Sequence, residues 1–473
     1  MSSHEPRGGG DGLRLPGRRR DIVILCSVVV LLMSAVSVAN LSVPVLAASP
    51  LDPSTTEQTW FVDAFVIAFA CLLLPAEMFG SRFGEERVLV FGLVLFGVAA
   101  AVALLASDMT LLIGSRALAG VGAGLALPQT LSILLHRTQR RQHAGIVAAW
   151  TASTSVAGVV GNGLGGPLIA AGGWRSVFAV TLPAALVVIA LVVAVVRMNR
   201  APDATVRIDL PGTALFIVAA VAGLVTLIEA PMLLGTPILL AIPFVICVVA
   251  AFGFWRVERR TRMPLLHLEL FRAPAVRAAS LGIAVTFAGL FTLFSLNAHL
   301  VQTVRGEGAG IAGIALIPVS VAMFVVTYAS VPLVRRVGLS PVVGSGLVIS
   351  AAGYLLASRV IEGSFLAYEL ALVVIGVGAG LCSSPLSTRL TMAYAQTGGR
   401  AGAGANSTLR ELSSAVGVAT VGVALTTAGA AGRSAEAEAI VAAASGLFVA
   451  VAAVLLAAGV GMAVDIRLAR RRG

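Results

Sequence analysis

The sequence predicts an all-α integral membrane protein built from two six-helix bundles with two helices inserted between them. Of its 473 residues, 58% are hydrophobic and only 12% are charged, which is far outside the range of soluble globular proteins. Fourteen apolar runs have roughly the 20 residues that a membrane-spanning helix needs. The hexapeptide Gly-Val-Gly-Ala-Gly-Leu occurs twice, beginning at Gly120 and at Gly376. A packing element repeated so far along the chain predicts two structurally equivalent halves.

The position of this repeat predicts how the spans are divided between domains. It pairs span four with span twelve, a shift of eight, whereas two adjoining six-helix bundles would give a shift of six. Spans seven and eight are therefore predicted to be an insert, and their few polar residues favour contact with lipid. The predicted order is an N-terminal cytosolic tail (1–21), the first bundle (22–197), the inserted pair (210–255), a cytosolic connection (256–276), the second bundle (277–463) and a C-terminal cytosolic tail (464–473).

The basic residues are all arginine, and their placement predicts the orientation of the chain. The net charge is +11, and arginines are concentrated at 18–20, 256–262 and 470–472, on one predicted side of the membrane. This is the positive-inside pattern, and an even number of spans places both termini in the cytosol. The composition, with no lysine, indicates a bacterial cytoplasmic membrane. We expect a lipid bilayer around the protein and no nucleic-acid partner.

The absence of lysine from the sequence also excludes two enzyme classes. A P-loop needs a lysine on the phosphates, and a pyridoxal enzyme needs one for its Schiff base. The four cysteines lie in apolar spans, and the histidines lack metal-ligand spacing. We therefore expect no cofactor, no metal and no enzymatic activity, in a protein that acts as a monomer.

Three segments resemble motifs of one transporter family. Span four contains Arg116-Ala-Leu-Ala-Gly120-Val-Gly-Ala-Gly124, similar to R-x-x-x-G-x-G-x-G. Span five contains Gly161-Asn162-Gly-Leu-Gly165-Gly, similar to G-P-x-x-G-G with asparagine in place of proline, and a Gly-Trp-Arg sequence precedes span six. In this order and spacing they resemble the major facilitator superfamily, specifically its fourteen-helix drug:proton antiporter branch of multidrug and antibiotic-resistance exporters.

The first departure from this branch lies in span one. The branch carries an aspartate ahead of N-x-x-x-P, and alignment of Asn40 and Pro44 with that motif places Ala35 at the aspartate position. A proton or cation site at this position is therefore not expected.

The second departure lies in the loop after span two. The family sequence G-x-x-x-D-R-x-G-R-R-R aligns with a segment in which Ser81 replaces the aspartate and Glu85 and Glu86 replace two basic residues. Because Arg82 and Gly84 are retained, we expect the tight turn to persist. The charge network that connects the two halves must differ.

Three charged residues inside spans are predicted to couple proton movement to transport: Asp63, Arg116 and Glu411. A charge at the centre of a membrane helix costs roughly 2.5 to 3.5 kcal/mol, so its presence indicates a function. Asp63 could instead be a wetted interfacial acid, Glu411 a local ion-pair partner of Arg410, and Arg116 a helix anchor. A buried Arg116 requires a carboxylate or a polar cluster nearby.

The predicted substrate cavity contains Asp63 and Glu411 together with two further residues, Asn40 and Trp60. A second group is predicted to serve helix packing or gating rather than chemistry. Its members are Gly120, Gly124, Gly161, Asn162, Gly165, Arg82, Gly84, Gly376 and Gly380.

Together these patterns predict proton-coupled efflux of an amphipathic small molecule, a drug or an antibiotic, by alternating access between two halves. A uniporter or importer of a metabolite is the alternative, because Ala35 removes an expected acid. An integral-membrane transferase is a third hypothesis, and the lack of a recognisable acid/base or metal constellation argues against it.

Overall fold

The computed structural model describes residues 17–47, 49–195, 209–233, 237–261, 264–307, 309–396, 402–428 and 433–472, and these ranges are helical with short connections. Most of the predicted N-terminal tail lies outside them. The helices are α1 Gly17–Ala47, α2 Thr55–Phe83, α3 Glu85–Leu104, α4 Met109–His136, α5 His143–Val195, α6 Leu210–Leu233, α7 Pro237–Glu258, α8 Pro274–His299, α9 Ala309–Ile314, α10 Ile317–Val337, α11 Leu339–Val360, α12 Phe365–Gln396, α13 Gly402–Ala428 and α14 Arg433–Arg472.

These helices account for the fourteen predicted membrane crossings in the described residues. Thirteen segments are long and apolar enough to cross a membrane when the bent α1 is counted as one. One of them, α5, has 53 residues and contains non-helical backbone at Gly172 and Gly173. At about 1.5 Å per residue it is too long for one crossing, so its two segments supply spans five and six. The short α9 continues into α10 as span ten. The predicted fold class is confirmed.

The first copy of the repeat brings α4 into close contact with two neighbouring helices. A Cβ atom at Gly120 would lie 2.4 Å from the Phe65 carbonyl oxygen of α2, and one at Gly124 would lie 2.7 Å from that of Phe69. On the other face of α4, a Cβ at Gly122 would lie 2.5 Å from the Gly92 carbonyl oxygen of α3. Only glycine permits backbones to approach this closely.

The second copy makes the same contacts eight spans later. A Cβ at Gly376 would lie 2.5 Å from the Val319 carbonyl oxygen of α10, and one at Gly380 would lie 2.9 Å from that of Met323. A Cβ at Gly378 would meet the Gly346 carbonyl oxygen of α11 at 2.5 Å. Helices α10, α11 and α12 therefore pack as α2, α3 and α4 do.

The turns that precede α3 and α11 are also equivalent. Gly84, between α2 and α3, has φ of 100°, and Gly338, between α10 and α11, has φ of 90°. Side-chain-bearing residues adopt this backbone region only with strain. The turn retained at Gly84 thus has a counterpart in the second half.

The inserted helices differ from each other in their surroundings. Only 6% of the apolar segment of α7 is buried inside the protein, so nearly all of this helix is free to contact lipid. In contrast, α6 packs against α2 and α13, with Ala220 and Leu224 in one cluster with Ile67 and Ala415. Only 22% of the apolar segment of α6 is buried, so most of its surface is free to face lipid, while one side of this helix covers the junction of the two bundles.

Several other helix pairs join the bundles, among them α5 with α10, α5 with α12, and α2 with α13. We call the membrane side on which α1 begins the terminal side, because α14 ends on the same side. Helix α2 reaches it at Phe83, and α13 starts from it at Gly402.

The glycine contacts lead to a stability prediction. Gly120→Ala should destabilise the protein by about 1–3 kcal/mol, because its Cβ overlaps the Phe65 carbonyl oxygen. Gly114→Ala on the same helix is the matched control, since a Cβ there meets no atom within 4 Å. The melting temperatures of both variants are measured in detergent, with gel filtration used to quantify the protein that stays folded after heating. Equal melting temperatures for the two variants would contradict the packing assigned to the repeat.

Candidate functional site

The Arg116 guanidinium is buried between α4 and α2, with 3% of the residue exposed. Its Nε donates to the Phe61 carbonyl oxygen at 3.1 Å, and its Cζ lies 5.4 Å and 4.6 Å from the ring centroids of Phe61 and Phe65. These are cation–π distances. Among the described residues no carboxylate lies within 4.0 Å of the guanidinium, and its Nη2 lacks a hydrogen-bond partner.

A cavity of about 20 Å³ lies beside Arg116 and is lined by Ala35, Ser42, Ser115 and Thr181, among others. This volume holds a water molecule but no drug-sized ligand. Ala35 occupies the place where the antiporter branch has its aspartate, so the residue at that position would face the arginine. A carboxylate or a polar cluster is expected near Arg116. The structure places hydroxyl groups and aromatic rings there, and no carboxylate among the described residues.

Asp63 lies on a different face of α2, toward the inserted helix α6. Trp60 and Ile67, one turn on either side of it, pack with α6 and α13. The Asp63 carboxyl lies within electrostatic range of Glu229 on α6. The structure therefore places Asp63 beside a second acid and does not pair it with Arg116. The sequence offers no signal for this proximity beyond the presence of Glu229 in a span.

Glu411 approaches the same junction from α13. It lies next to Leu412 and one turn before Ala415, and both pack in the cluster that joins α2, α6 and α13. Three of the residues predicted for the cavity, Trp60, Asp63 and Glu411, thus border one junction. The side chains of Asn40 and Asn162 lie outside the described residues.

Arg410, predicted only as a possible ion-pair partner of Glu411, is a buried charge. It is 5% exposed, and its Nη2 donates to the Thr154 Oγ1 of α5 at 3.1 Å. Its Cζ lies 5.4 Å from the Trp150 ring centroid and 4.2 Å from that of Phe287 in α8. This side chain therefore lies where the two bundles meet. Its position inside a span was the only signal in the sequence.

The glycine-rich segment of α5 packs on α1. Gly161 is buried, and a Cβ at Gly165 would lie 3.1 Å from the Cγ2 of Val38. This is a packing contact between α5 and α1.

A carboxylate on α2 caps the start of α13 on the terminal side. Glu77 is 3% exposed, and its Oε1 accepts a hydrogen bond from the Gly404 backbone N–H at 2.7 Å. Gly404 allows this approach, because a Cβ there would lie 2.7 Å from the Leu73 carbonyl oxygen. A negative charge at a helix N-terminus is stabilising. Glu77, one helical turn before Ser81, thus connects the two bundles.

The two acids that replace basic residues of the motif belong to a network within the first bundle. Glu85 lies 3.0 Å from the His136 Nδ1, and Glu86 accepts a bond from Arg137 at 3.2 Å. Arg137 also pairs with Asp21 of α1 at 2.9 Å. These ion pairs form the charge network that surrounds this loop in the structure.

The connection after α7 folds back on α12. Leu266 N–H donates to the Glu258 carboxylate, and the His267 ring packs edge-on against Tyr394 with centroids 6.1 Å apart. Burial lowers the pKa of the His267 imidazole.

In the part of the chain that the structure describes, no group of three His, Cys, Asp or Glu residues could hold a metal ion.

The sequence comparisons identify the family to which this arrangement of helices belongs. A profile of the Major Facilitator Superfamily matches residues 25–418. The chain belongs to the Major Facilitator Superfamily. The resemblance seen in the motifs is thereby confirmed, and the chain is a multi-pass membrane transporter for small molecules.

Two relatives of this transporter are named for antibiotics. The methylenomycin A resistance protein of Streptomyces coelicolor is 29% identical over 432 residues, covering 88% of this chain and 89% of that protein. The cephamycin export protein CmcT of Amycolatopsis lactamdurans is 30% identical over 432 residues, with coverages of 88% and 86%. One similar member of the superfamily is thus named for resistance to an antibiotic and another for antibiotic export.

A solved structure shows the same fold. The human organic anion transporter MFSD10 superposes with a TM-score of 0.65 over 93% of this chain and 99% of that one, at 15% identity. At this identity the likeness establishes the architecture of the transporter and not its substrate.

The Glu77 cap leads to a prediction about the contact between the bundles. Glu77→Gln should weaken it by about 0.3–2 kcal/mol, because a carboxylate at a helix N-terminus contributes that much. The fraction of molecules in which the two bundles are separated on the terminal side should therefore rise about 2- to 30-fold. Spin labels at the exposed Phe83 and Val337, one in each bundle, measure this distance after replacement of the native cysteines.

Glu86→Gln is the control for this experiment, since its partner Arg137 lies in the same bundle. It should leave the distribution unchanged. A Glu77→Gln distribution identical to that of the parent would show that the cap does not hold the bundles together.

Proposed function

We propose that this transporter exports amphipathic small molecules, drugs or antibiotics, from the bacterial cytoplasm in exchange for protons, by alternating access. The observation that carries the proposal is the set of charged side chains inside spans at which the two bundles meet: Asp63, Glu411 and Arg410. Charges are retained in membrane helices at a cost, and in transporters they mark substrate and proton pathways. The similarity to the cephamycin export protein supports the direction of transport.

In this proposal, Asp63 and Glu411 bind and release protons. Each carboxyl belongs to a helix that contacts the opposite bundle, α2 for Asp63 and α13 for Glu411. A change in protonation at either one alters the charge at a contact that must rearrange during transport. Arg116, held by two aromatic rings and a backbone carbonyl, supplies a fixed positive charge on the far face of α2.

Alternating access would proceed by rocking of the two bundles around the junction. The glycine contacts keep α2, α3 and α4 rigid as one unit, and α10, α11 and α12 as another. The Glu77 cap on α13 closes the terminal side in this state. We assign the terminal side to the cytosol on the arginine distribution, and we propose that the protein works as a monomer.

One observation favours a second candidate, a uniporter or importer. Ala35 lines the cavity beside Arg116, so the acid that the antiporter branch would supply there is missing from the first bundle. If Asp63 and Glu411 do not take over proton binding, transport would follow the substrate gradient alone.

A susceptibility panel in a bacterial host without its own pumps tests the proposal. Expression should raise the inhibitory concentration of at least one amphipathic antibiotic, and an uncoupler should abolish efflux. Asp63→Asn and Glu411→Gln should each reduce gradient-driven efflux to the level of the empty vector with expression intact, because neither amide can bind a proton. Glu362→Gln is the matched control, since this acid is exposed in the turn between α11 and α12.

The possible results separate the two candidates. Efflux that survives the uncoupler favours the uniporter. Normal pH-dependent efflux in both acid variants would overturn the assignment of Asp63 and Glu411. A panel without any protected compound, together with net uptake in vesicles, would overturn export itself.

A further inference from the structure

The Arg410 guanidinium has unused hydrogen-bonding capacity in the middle of the transporter. It lies eight residues into α13, about 12 Å from the start of the helix at 1.5 Å per residue. Of its three nitrogens, only Nη2 has a partner, the Thr154 hydroxyl, while Nε and Nη1 donate to no group among the described residues. A buried donor without a partner is costly, and more so when it carries a charge.

The adjacent acid, Glu411, lies within electrostatic range of this guanidinium but forms no salt bridge with it. Neighbouring residues on a helix point apart, and Glu411 lies along the side of α13 that packs toward α2 and α6. No described carboxylate comes within 4.0 Å of the Arg410 guanidinium. Arg137, by contrast, is bound by two carboxylates, Asp21 and Glu86. Arg175 and Arg305 lack such carboxylates but donate to backbone carbonyl oxygens, whereas Arg410 has neither kind of partner among the described residues.

The groups around Arg410 come from both bundles and are suited to an anion. The Trp150 ring of α5 and the Phe287 ring of α8 orient the guanidinium. One turn away on the same face of α13, Asn406 is fully buried with neither amide atom hydrogen-bonded in the described residues. One turn from Thr154, the buried Thr151 hydroxyl also lacks a partner. Amide and hydroxyl donors beside a guanidinium form a set that favours an acidic group.

Arg116 does not provide an equivalent site. It lies within the first bundle, and the cavity beside it is lined by residues of that bundle alone. Arg410 contacts both bundles, at the place where a transported molecule must pass in an alternating-access protein.

We propose that Arg410 binds the carboxylate of the transported molecule, so that the substrates of this exporter are amphipathic carboxylates whose apolar part lies against Trp150 and Phe287. This inference rests on the proposed function and specifies its substrate class. A planar guanidinium matches the geometry of a carboxylate, and charge-assisted hydrogen bonds are about twice as strong as neutral ones.

Three dansyl compounds with the same fluorophore test this assignment on the purified full chain in nanodiscs: dansylglycine, a carboxylate; dansylamide, neutral; and dansylcadaverine, a cation. Binding is measured by energy transfer from tryptophan. The parent protein should bind dansylglycine about tenfold or more tighter than the other two, as expected for hydrogen bonds to a charged group. Arg410→Gln should remove this preference while leaving dansylamide binding unchanged.

Two further variants keep the test decisive. Arg410→Lys, which retains the charge, should preserve part of the preference even if the glutamine variant fails to fold. Arg336→Gln, at an exposed position on α10, should bind as the parent does. The proposal is overturned if the parent prefers dansylcadaverine, binds none of the three probes, or keeps its preference for dansylglycine in a folded Arg410→Gln variant. Uncoupler-sensitive efflux of cationic drugs in the susceptibility panel would leave the proposed export function standing and remove only the carboxylate assignment.

Discussion

Close contact between helix backbones is the constraint on which the rest of this structure depends. Lipid tails are as apolar as the helices themselves, so hydrophobicity places the helices in the membrane without holding them together. Association comes instead from van der Waals contact, which requires that backbones approach. At Gly120 and Gly376 a single added carbon would overlap a carbonyl oxygen of the neighbouring helix. The two copies of the repeat produce two similar rigid units, and the polar groups lie where these units meet.

The buried arginines show how the protein accommodates charge in this setting. Arg116 and Arg410 each lie over two aromatic rings and use one polar protein group as acceptor, a backbone carbonyl and a hydroxyl respectively. Aromatic faces offset part of the cost of burying a cation without removing its charge. Each guanidinium therefore keeps a positive field in a region of low dielectric, where it acts strongly on any anion or proton that enters. This property suits a transporter better than a fully neutralised ion pair would.

The departures from the family motifs are compensated locally in one case and not in the other. Ser81 replaces the acid of the loop motif, and Glu77, one turn earlier on the same face of α2, caps α13. The contact between the bundles is thus retained with a different residue. Ala35 has no such replacement among the described residues around Arg116, and the acids that remain lie on the opposite face of α2 or on α13. The junction of α2, α6 and α13 is therefore where the proposed proton coupling is to be tested.

The sequence by itself determined the class of protein, the number of crossings and the pairing of spans four and twelve. These follow from local properties, since a run of about 20 apolar residues spans a bilayer whatever its neighbours are, and a glycine pattern is visible in the chain itself. Only the tertiary structure decided that α6 covers the junction, that Asp63 faces Glu229, and that Arg410 touches both bundles. Those outcomes depend on how each helix is rotated about its own axis and on which helix packs beside it. Because packing between distant segments sets that rotation, no single stretch of sequence contains it.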